Sequence, residues 1–333
     1  MIVLGIESSA HTFGVGVVKD EEPYILADVR SVYTPKSGGI HPKEAVSYFI
    51  EKAPDTIVKA LDEAGIAIDK VDAIAVTLGP GLGPCLRVGA TIARALATYY
   101  GKPLIPVNHA VAHVEIGKLI FRFKDPLVVY LSGGNTLITS LSEGRYRIFG
   151  ETLDISLGNF LDTLARELRL APPYVVSGLH QIDRCAQEGR NFLDLPYVVK
   201  GQDVSFSGLL TAALKLYKTG KVNLPDLCYS VREIAYSAIV EISERGLAHT
   251  GKKEMLVVGG VASSPVLRSK LEAMASVRNV NLGIVPPKYA VDNGVMIAWT
   301  GLLMFKHNIS VRPEEAYVKQ RWKIDQVDIL WAT

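Results

Sequence analysis

Apolar runs in this chain are cut repeatedly by short patches of small polar residues, and the spacing of the cuts predicts the elements. Residues 1–18 carry IVLGIE, then SSAHT, then FGVGVV: two apolar segments about a polar tip, the pattern of a β-hairpin. Residues 127–141 repeat the pattern as LVVYL, SGGNT and LITSL, and two similar hairpins predict two related domains. Between them the periodicity predicts a helix over 41–64, a buried strand over 73–77, a Gly-Pro turn and a helix over 87–100. Strands alternating with helices give an α/β class. Beyond residue 150 the pattern turns mostly helical, near 159–170, 181–188, 206–217 and 225–249. The run MLVVGGVASS then reads as strand and glycine turn, followed by a helix from Pro265, a strand over 281–285 and an apolar helix over 291–305. A first domain over 1–125 and a second over 126–294, the latter with a helical insertion, are expected, and the segment 295–333 is expected to complete the first as a C-terminal helix.

A chain of 333 residues has room for two ordinary cores, at about 150 residues per domain. With 48% hydrophobic and 21% charged residues its balance is globular, not disordered. A net charge of +2 lacks the strongly basic signature of a stand-alone nucleic-acid binder, and leaves a local basic patch or a basic partner as the source of any phosphate contacts. Cys85, Cys185 and Cys228 lie far apart in sequence, so neither a disulfide framework nor a cysteine zinc site is expected, and a reducing compartment is. No basic segment precedes the first apolar run and Glu7 interrupts it, which argues against a signal peptide. A cytoplasmic location is the expectation. The longest charge-free apolar-rich stretch, 294–305, falls short of the roughly 18 to 20 residues of a membrane helix.

Candidate chemistry begins with the glycine turns. SGGNT (132–136) and GGVASS (259–264) follow strands and expose backbone N–H groups that can approach phosphate oxygens, although each alone is also an ordinary tight turn. Three such turns after strands suggest a nucleotide site without a P-loop sequence. TLGPGLGPCLRVG fails the dinucleotide pattern, because Pro84 stands at its last glycine and no acidic ribose partner follows. His109 and His113 stand at i and i+4 in NHAVAHVE, a spacing that puts two imidazoles on one helix face within reach of one metal ion. Such a pair also arises by chance on helix surfaces. Ala110 stands where a zincin has its general-base Glu, so peptidase chemistry lacks its base. Tyr130 within LVVYL and Asp292 in YAVDNGVMI are polar groups in apolar settings. Tyr130 suits a bonded core residue and Asp292 a helix cap equally well.

Taken together, GIESSAHT (5–12), NHAVAH (108–113), YLSGGNT (130–136), GETLDISLGNFLD (150–162), SFSGL (205–209), VGGVA (258–262) and DNGVMIA (292–298) closely resemble one family. It is the tRNA threonylcarbamoyladenosine transferase family, with bacterial TsaD and the catalytic subunits of archaeal and eukaryotic KEOPS complexes. ESSAHT and SFSGLL resemble the archaeal branch most, and VKQRWKIDQVDILW resembles the family's tail.

The resemblance implies an ASKHA fold of two related lobes about a central cleft. It implies transfer of a threonylcarbamoyl group from threonylcarbamoyl-AMP to the N6 amine of the adenosine 3′ of the anticodon, in tRNAs reading ANN codons. Carried over by motif, His109, His113, Tyr130 and Asp292 match the family's metal ligands, with iron or zinc as usual occupants. Its substrate contacts fall on Tyr130, Leu131, Ser132, Gly133, Gly134, Asp162, the region 177–183 with Gly178, Leu179 and Asp183, and Ser264. GLHQID replaces the family's usual GGPxxE, and Ser264 its usual Asn. The implied partners are tRNA and the KEOPS subunits, namely an atypical small protein kinase, a small dimerising subunit and an accessory subunit. Arg166, Arg169, Lys319, Arg321 and Lys323 are candidate phosphate contacts. Two other functions stay open on the sequence: a metallopeptidase, the activity once attached to the family's name, and an ATP-binding regulatory subunit without chemistry of its own.

Overall fold

The structure is a computed structural model that describes residues 1–35 and 39–332. It divides into two compact units, the first formed by Met1–Leu119, Glu143–Arg145 and Val291–Thr333, the second by Ile120–Ser142 and Tyr146–Ala290.

In the first unit the opening hairpin is β1 (Ile2–Glu7) and β2 (Thr12–Lys19), extended by β3 (Ile25–Val32). The long helix α1 (Pro42–Ala64) begins with Pro42 in its first turn and stops at Gly65 in the left-handed conformation. After it come β4 (Ala73–Gly79), α2 (Gly83–Tyr100), β5 (Leu104–Asn108) and α3 (His109–Phe121). Helix α2 starts four residues before its predicted Arg87, because Pro84 sits in the first turn, where a missing N–H costs nothing. The sheet order is β3-β2-β1-β4-β5. β1 pairs antiparallel with β2 and parallel with β4.

The second unit carries β6 (Leu127–Leu131), β7 (Thr136–Ser142), β8 (Arg145–Glu151, from Tyr146 on) and α4 (Leu157–Glu167). The two-residue pair β9 (Val175–Val176) and β10 (Leu179–His180) leads into α5 (Gln181–Cys185). A second such pair, β11 (Val199–Lys200) and β12 (Asp203–Val204), precedes α6 (Ser207–Lys218) and the 27-residue α7 (Leu224–Thr250). β13 (Glu254–Val258), α8 (Pro265–Arg278), β14 (Asn281–Ile284) and α9 (Pro287–Ala290) follow. The sheet order β14-β13-β6-β7-β8 places the repeated hairpin β6–β7 beside parallel β13, as β1–β2 lies beside parallel β4. Asp154 joins two of the recognisable motifs. Its carboxylate accepts from the Ser205 and Ser207 hydroxyls and the Phe206 N–H at the start of α6.

The chain returns to the first unit with α10 (Gly294–Lys306), which lies on β1 and β2 at backbone distance. A Cβ on Gly5 would stand 2.2 Å from Ala298 N, and one on Gly16 2.3 Å from Val295 N. The predicted C-terminal helix ends at Lys306, and residues 307–332 form an irregular tail with two short 3₁₀ turns. Asn308 with φ 58 and Pro313 are incompatible with continuing it. The expectation of no disulfide is also corrected, since Cys185 on α5 and Cys228 on α7 form one, with Cα atoms 5.9 Å apart. Their separation of 43 residues conceals that α5 packs against α7.

Three outcomes follow from this packing. Gly16→Ala forces α10 off the sheet and lowers urea stability by about 3 kcal/mol, as overpacking does, whereas Gly208→Ala, with open space at its Cβ, does not lower it. Reduction of the Cys185–Cys228 bridge removes up to about 4 kcal/mol of chain-entropy stabilisation and moves the denaturation midpoint of wild type down to that of Cys185→Ser. Finally, the hydrogen bonds to Asp154 outweigh its partial burial and hold its carboxyl well below the ordinary range. Its contribution is therefore complete above the unfolded carboxylate range and is lost as pH falls through the folded value. Acid titration of Asp154→Asn shows a shallower loss below pH ~4 than wild type.

Candidate functional site

In the first unit, β5 runs directly into α3, and the turn between them is made by Asn108. Its side-chain oxygen accepts the N–H groups of Ala110 and Val111, which caps the helix, while its amide donates to the Trp322 carbonyl. His109 is thereby the first residue of α3 and His113 lies one turn on, both buried. Their rings meet edge to face, with centroids 4.7 Å apart.

Asp292 reaches them from the segment before α10. The helix cap there is Asn293, whose side chain accepts from Met296 N at 2.8 Å, so Asp292 is not spent on capping. Its Oδ1 lies 3.5 Å from His109 Nε2 and 3.4 Å from His113 Nε2. On the far side of the His109 ring, Nδ1 meets Glu7 Oε2 at 3.0 Å.

The electrostatics follow from burial and from these charges. Burial opposes a charged His109, but Glu7 and Asp292 outweigh it and push the group up to about 9. Burial depresses His113, and the neighbouring His109 adds to it, against the pull of Asp292 and Glu7. Burial alone would raise Asp292, yet His109 and His113 leave it below the usual carboxylate range. Two imidazole nitrogens and a carboxylate oxygen, each within 4.8 Å of the others, are a donor set for a divalent transition metal. The fit is chemical as well as geometric: a cation here replaces the proton on His109 and engages three donor atoms at once.

The glycine turns belong to the second unit. Tyr130, fully buried, and Leu131 end β6, and Ser132 opens a tight turn in which its hydroxyl accepts from Gly134 N and Asn135 N. Gly133 and Gly134 have open space where a Cβ would be. Ser156, the N-cap of α4, donates its hydroxyl to the Gly133 carbonyl at 2.6 Å and so ties this turn to the helix start. Gly259 has another reason for being glycine: with φ 94, its Cβ would stand 2.2 Å from the Leu131 carbonyl, where β13 and β6 end side by side.

Residues 177–183 form the β9–β10 turn and the start of α5. Ser177 and Gly178 both have positive φ, as a two-residue hairpin turn requires. His180 Nε2 lies 3.1 Å from Asp162 Oδ1, while its Nδ1 accepts from Ile182 N. Asp183 is 1% exposed, and the Tyr236 hydroxyl bridges its two oxygens at 3.1 Å each. Ser264, which caps α8, also bonds to it. Burial pushes the Asp183 carboxyl up despite these partners.

Of the expected site residues, His109, His113 and Asp292 come together in one unit. Asp183 meets Ser264, and Asp162 meets a residue of the 177–183 segment, in the other. Glu7 and Tyr236 were missed. Glu7 left a trace, a carboxylate inside the apolar run IVLGIE, whereas nothing distinguishes Tyr236 among 14 tyrosines.

A family model described as tRNA N6-adenosine threonylcarbamoyltransferase, TsaD, matches residues 24–299. Proteins named tRNA N6-adenosine threonylcarbamoyltransferase from Hyperthermus butylicus and Sulfurisphaera tokodaii are 58% and 56% identical, each over 99% of this chain and over 91% and 98% of their own lengths. Among solved structures, T. kodakarensis HypF superposes with a TM-score of 0.66 at 15% identity, over 95% of this chain and 49% of that one. An activator of 2-hydroxyisocaproyl-CoA dehydratase from Clostridium difficile, with bound ADPNP, gives 0.53 at 12% identity, over 92% of this chain and 97% of that one. These likenesses place the fold in the ASKHA class. With most of its length matched by the family model and nearly all of it by relatives above half identity, the chain belongs to the TsaD family of tRNA N6-adenosine threonylcarbamoyltransferases.

Proposed function

We propose that this enzyme transfers threonylcarbamoyl from threonylcarbamoyl-AMP to the N6 amine of the adenosine 3′ of the anticodon in tRNAs reading ANN codons, at a site centred on His109, His113 and Asp292. The observation that carries the reading is the convergence of those three side chains, two of them buried, in a chain that belongs to this family. In the reaction the amine nitrogen forms a bond to the carbamoyl carbon, the bond from that carbon to the phosphate oxygen breaks, AMP leaves, and the amine gives up a proton.

The protein's task is largely positioning, because the mixed anhydride is already activated. Tyr130, Leu131, Ser132, Gly133 and Gly134 contribute a turn whose glycines leave the backbone uncovered, suited to the adenylate or to ATP. Asp162, Gly178, Leu179, Asp183 and Ser264 are proposed to line the nucleoside. Asp183 acts there through its network with Tyr236 and Ser264, since its own oxygens are engaged. His109, His113 and Asp292 hold the metal, and Tyr130 is proposed as a fourth ligand. Iron or zinc suits an imidazole and carboxylate set. When bound, the ion supplies electrostatic stabilisation of negative charge on the acyl group.

A net charge of +2 favours shared capture of tRNA, with KEOPS-type partners supplying part of the grip and Arg166, Arg169, Lys319, Arg321 and Lys323 contributing from this chain. No helix among the described residues is long and apolar enough to cross a membrane. A cytoplasmic location, where tRNA is modified, fits the proposed substrate. The peptidase reading has no support at the centre, because the position after His109 is Ala110.

Single-turnover transfer from labelled threonylcarbamoyl-AMP to unmodified tRNA, with partner subunits supplied, tests the reading. Wild type labels the tRNA, and His109→Ala slows labelling by on the order of 100-fold or more, the scale of a lost electrostatic stabiliser. Absence of label with metal-loaded wild type contradicts the assignment.

A further inference from the structure

A fully buried carboxylate is costly unless its oxygens meet donors or a cation. Glu7, the last residue of β1, has no exposed surface and meets donors from three places. The Ser9 N–H reaches Oε1. The Thr77 hydroxyl, from β4, donates to Oε2 at 2.6 Å, and His109 Nδ1, from the first turn of α3, lies 3.0 Å from the same oxygen. Among the described residues its one ion pair is with His109.

The geometry fixes a proton. Glu7 accepts at both ends, so His109 must carry hydrogen on Nδ1, and the nitrogen left to face Asp292 and His113 is Nε2. We propose that Glu7 is a positioning residue for the metal centre: it holds His109 in the tautomer and ring orientation that present Nε2 to the ion, and its charge makes that nitrogen a stronger ligand. The inference rests on the metal reading of His109, His113 and Asp292, and goes beyond it to a residue outside the donor set. Carboxylates in this relation to a ligating histidine tune affinity by roughly 10- to 100-fold.

Glutamine, though the same shape, cannot take the place of Glu7. With its one oxygen turned to the Ser9 N–H, its NH₂ faces His109 Nδ1 and favours the opposite tautomer, with hydrogen on Nε2. Turned the other way, its NH₂ opposes the Ser9 N–H.

The experiment titrates full-length wild type and Glu7→Gln with Co²⁺ and Zn²⁺ by calorimetry, and records the thermal midpoints of both metal-free proteins. The expected result is metal affinity weaker by about 10- to 100-fold in Glu7→Gln, with a midpoint showing that the variant is folded. Affinity within twofold of wild type in a folded variant overturns the inference. Wild type that binds neither ion overturns the metal reading as well, so the two failures are distinguishable. Should Glu7→Gln not fold, ¹⁵N-histidine NMR of zinc-loaded wild type decides: hydrogen on His109 Nδ1 with zinc on Nε2 supports the role, and the reverse assignment contradicts it.

Discussion

The close approach of α10 to the first sheet is the constraint on which the site depends. Gly5 and Gly16 on the strands, with Gly294 opening the helix, allow backbone to lie against backbone at distances that any Cβ would forbid. That approach fixes the start of α10 against Gly14 to Gly16 of β2, and the residue just before its Asn293 cap is Asp292. From the neighbouring β5, Asn108 caps α3 and delivers His109 and His113 to the same place. Glycine spacing thus governs the position of a carboxylate about 180 residues away in sequence from its histidine partners. Glu7 lies at the end of the same β1, so one packing arrangement sets both the cluster of His109, His113 and Asp292 and the carboxylate behind it.

Much of this was legible in the chain because local chemistry and fold agree. Both hairpins followed from apolar runs around polar tips, and the parallel strands following them matched the expected α/β class. The His pair was legible from its i,i+4 spacing on a helix. Asp292 needed the family resemblance, since a carboxylate before an apolar helix looks like a cap, and it takes the fold to show that Asn293 does that work.

What escaped were relations between distant residues. The Cys185–Cys228 bridge depends on α5 packing against α7, and the separation in sequence gives no sign of it. Tyr236 gains meaning only through Asp183, which it bonds at both oxygens from seven turns of otherwise ordinary helix. The apolar helix was legible to within one residue of its end at Lys306, whereas extending helix over 295–333 passed over Pro313, and Asn308 turns into left-handed backbone. The GLHQID segment departs from its family's pattern: a hairpin turn at Ser177 and Gly178 and a helix cap from His180 are local work, whereas Asp183 reaches Tyr236 and Ser264.

The most direct measurement is the location of the metal by anomalous diffraction at its absorption edge, in crystals of the loaded protein. A peak within coordinating distance of His109 Nε2, His113 Nε2 and an Asp292 oxygen is the result expected from the converging donors. A peak elsewhere in the chain, or one at this cluster bonded through His109 Nδ1, contradicts the account.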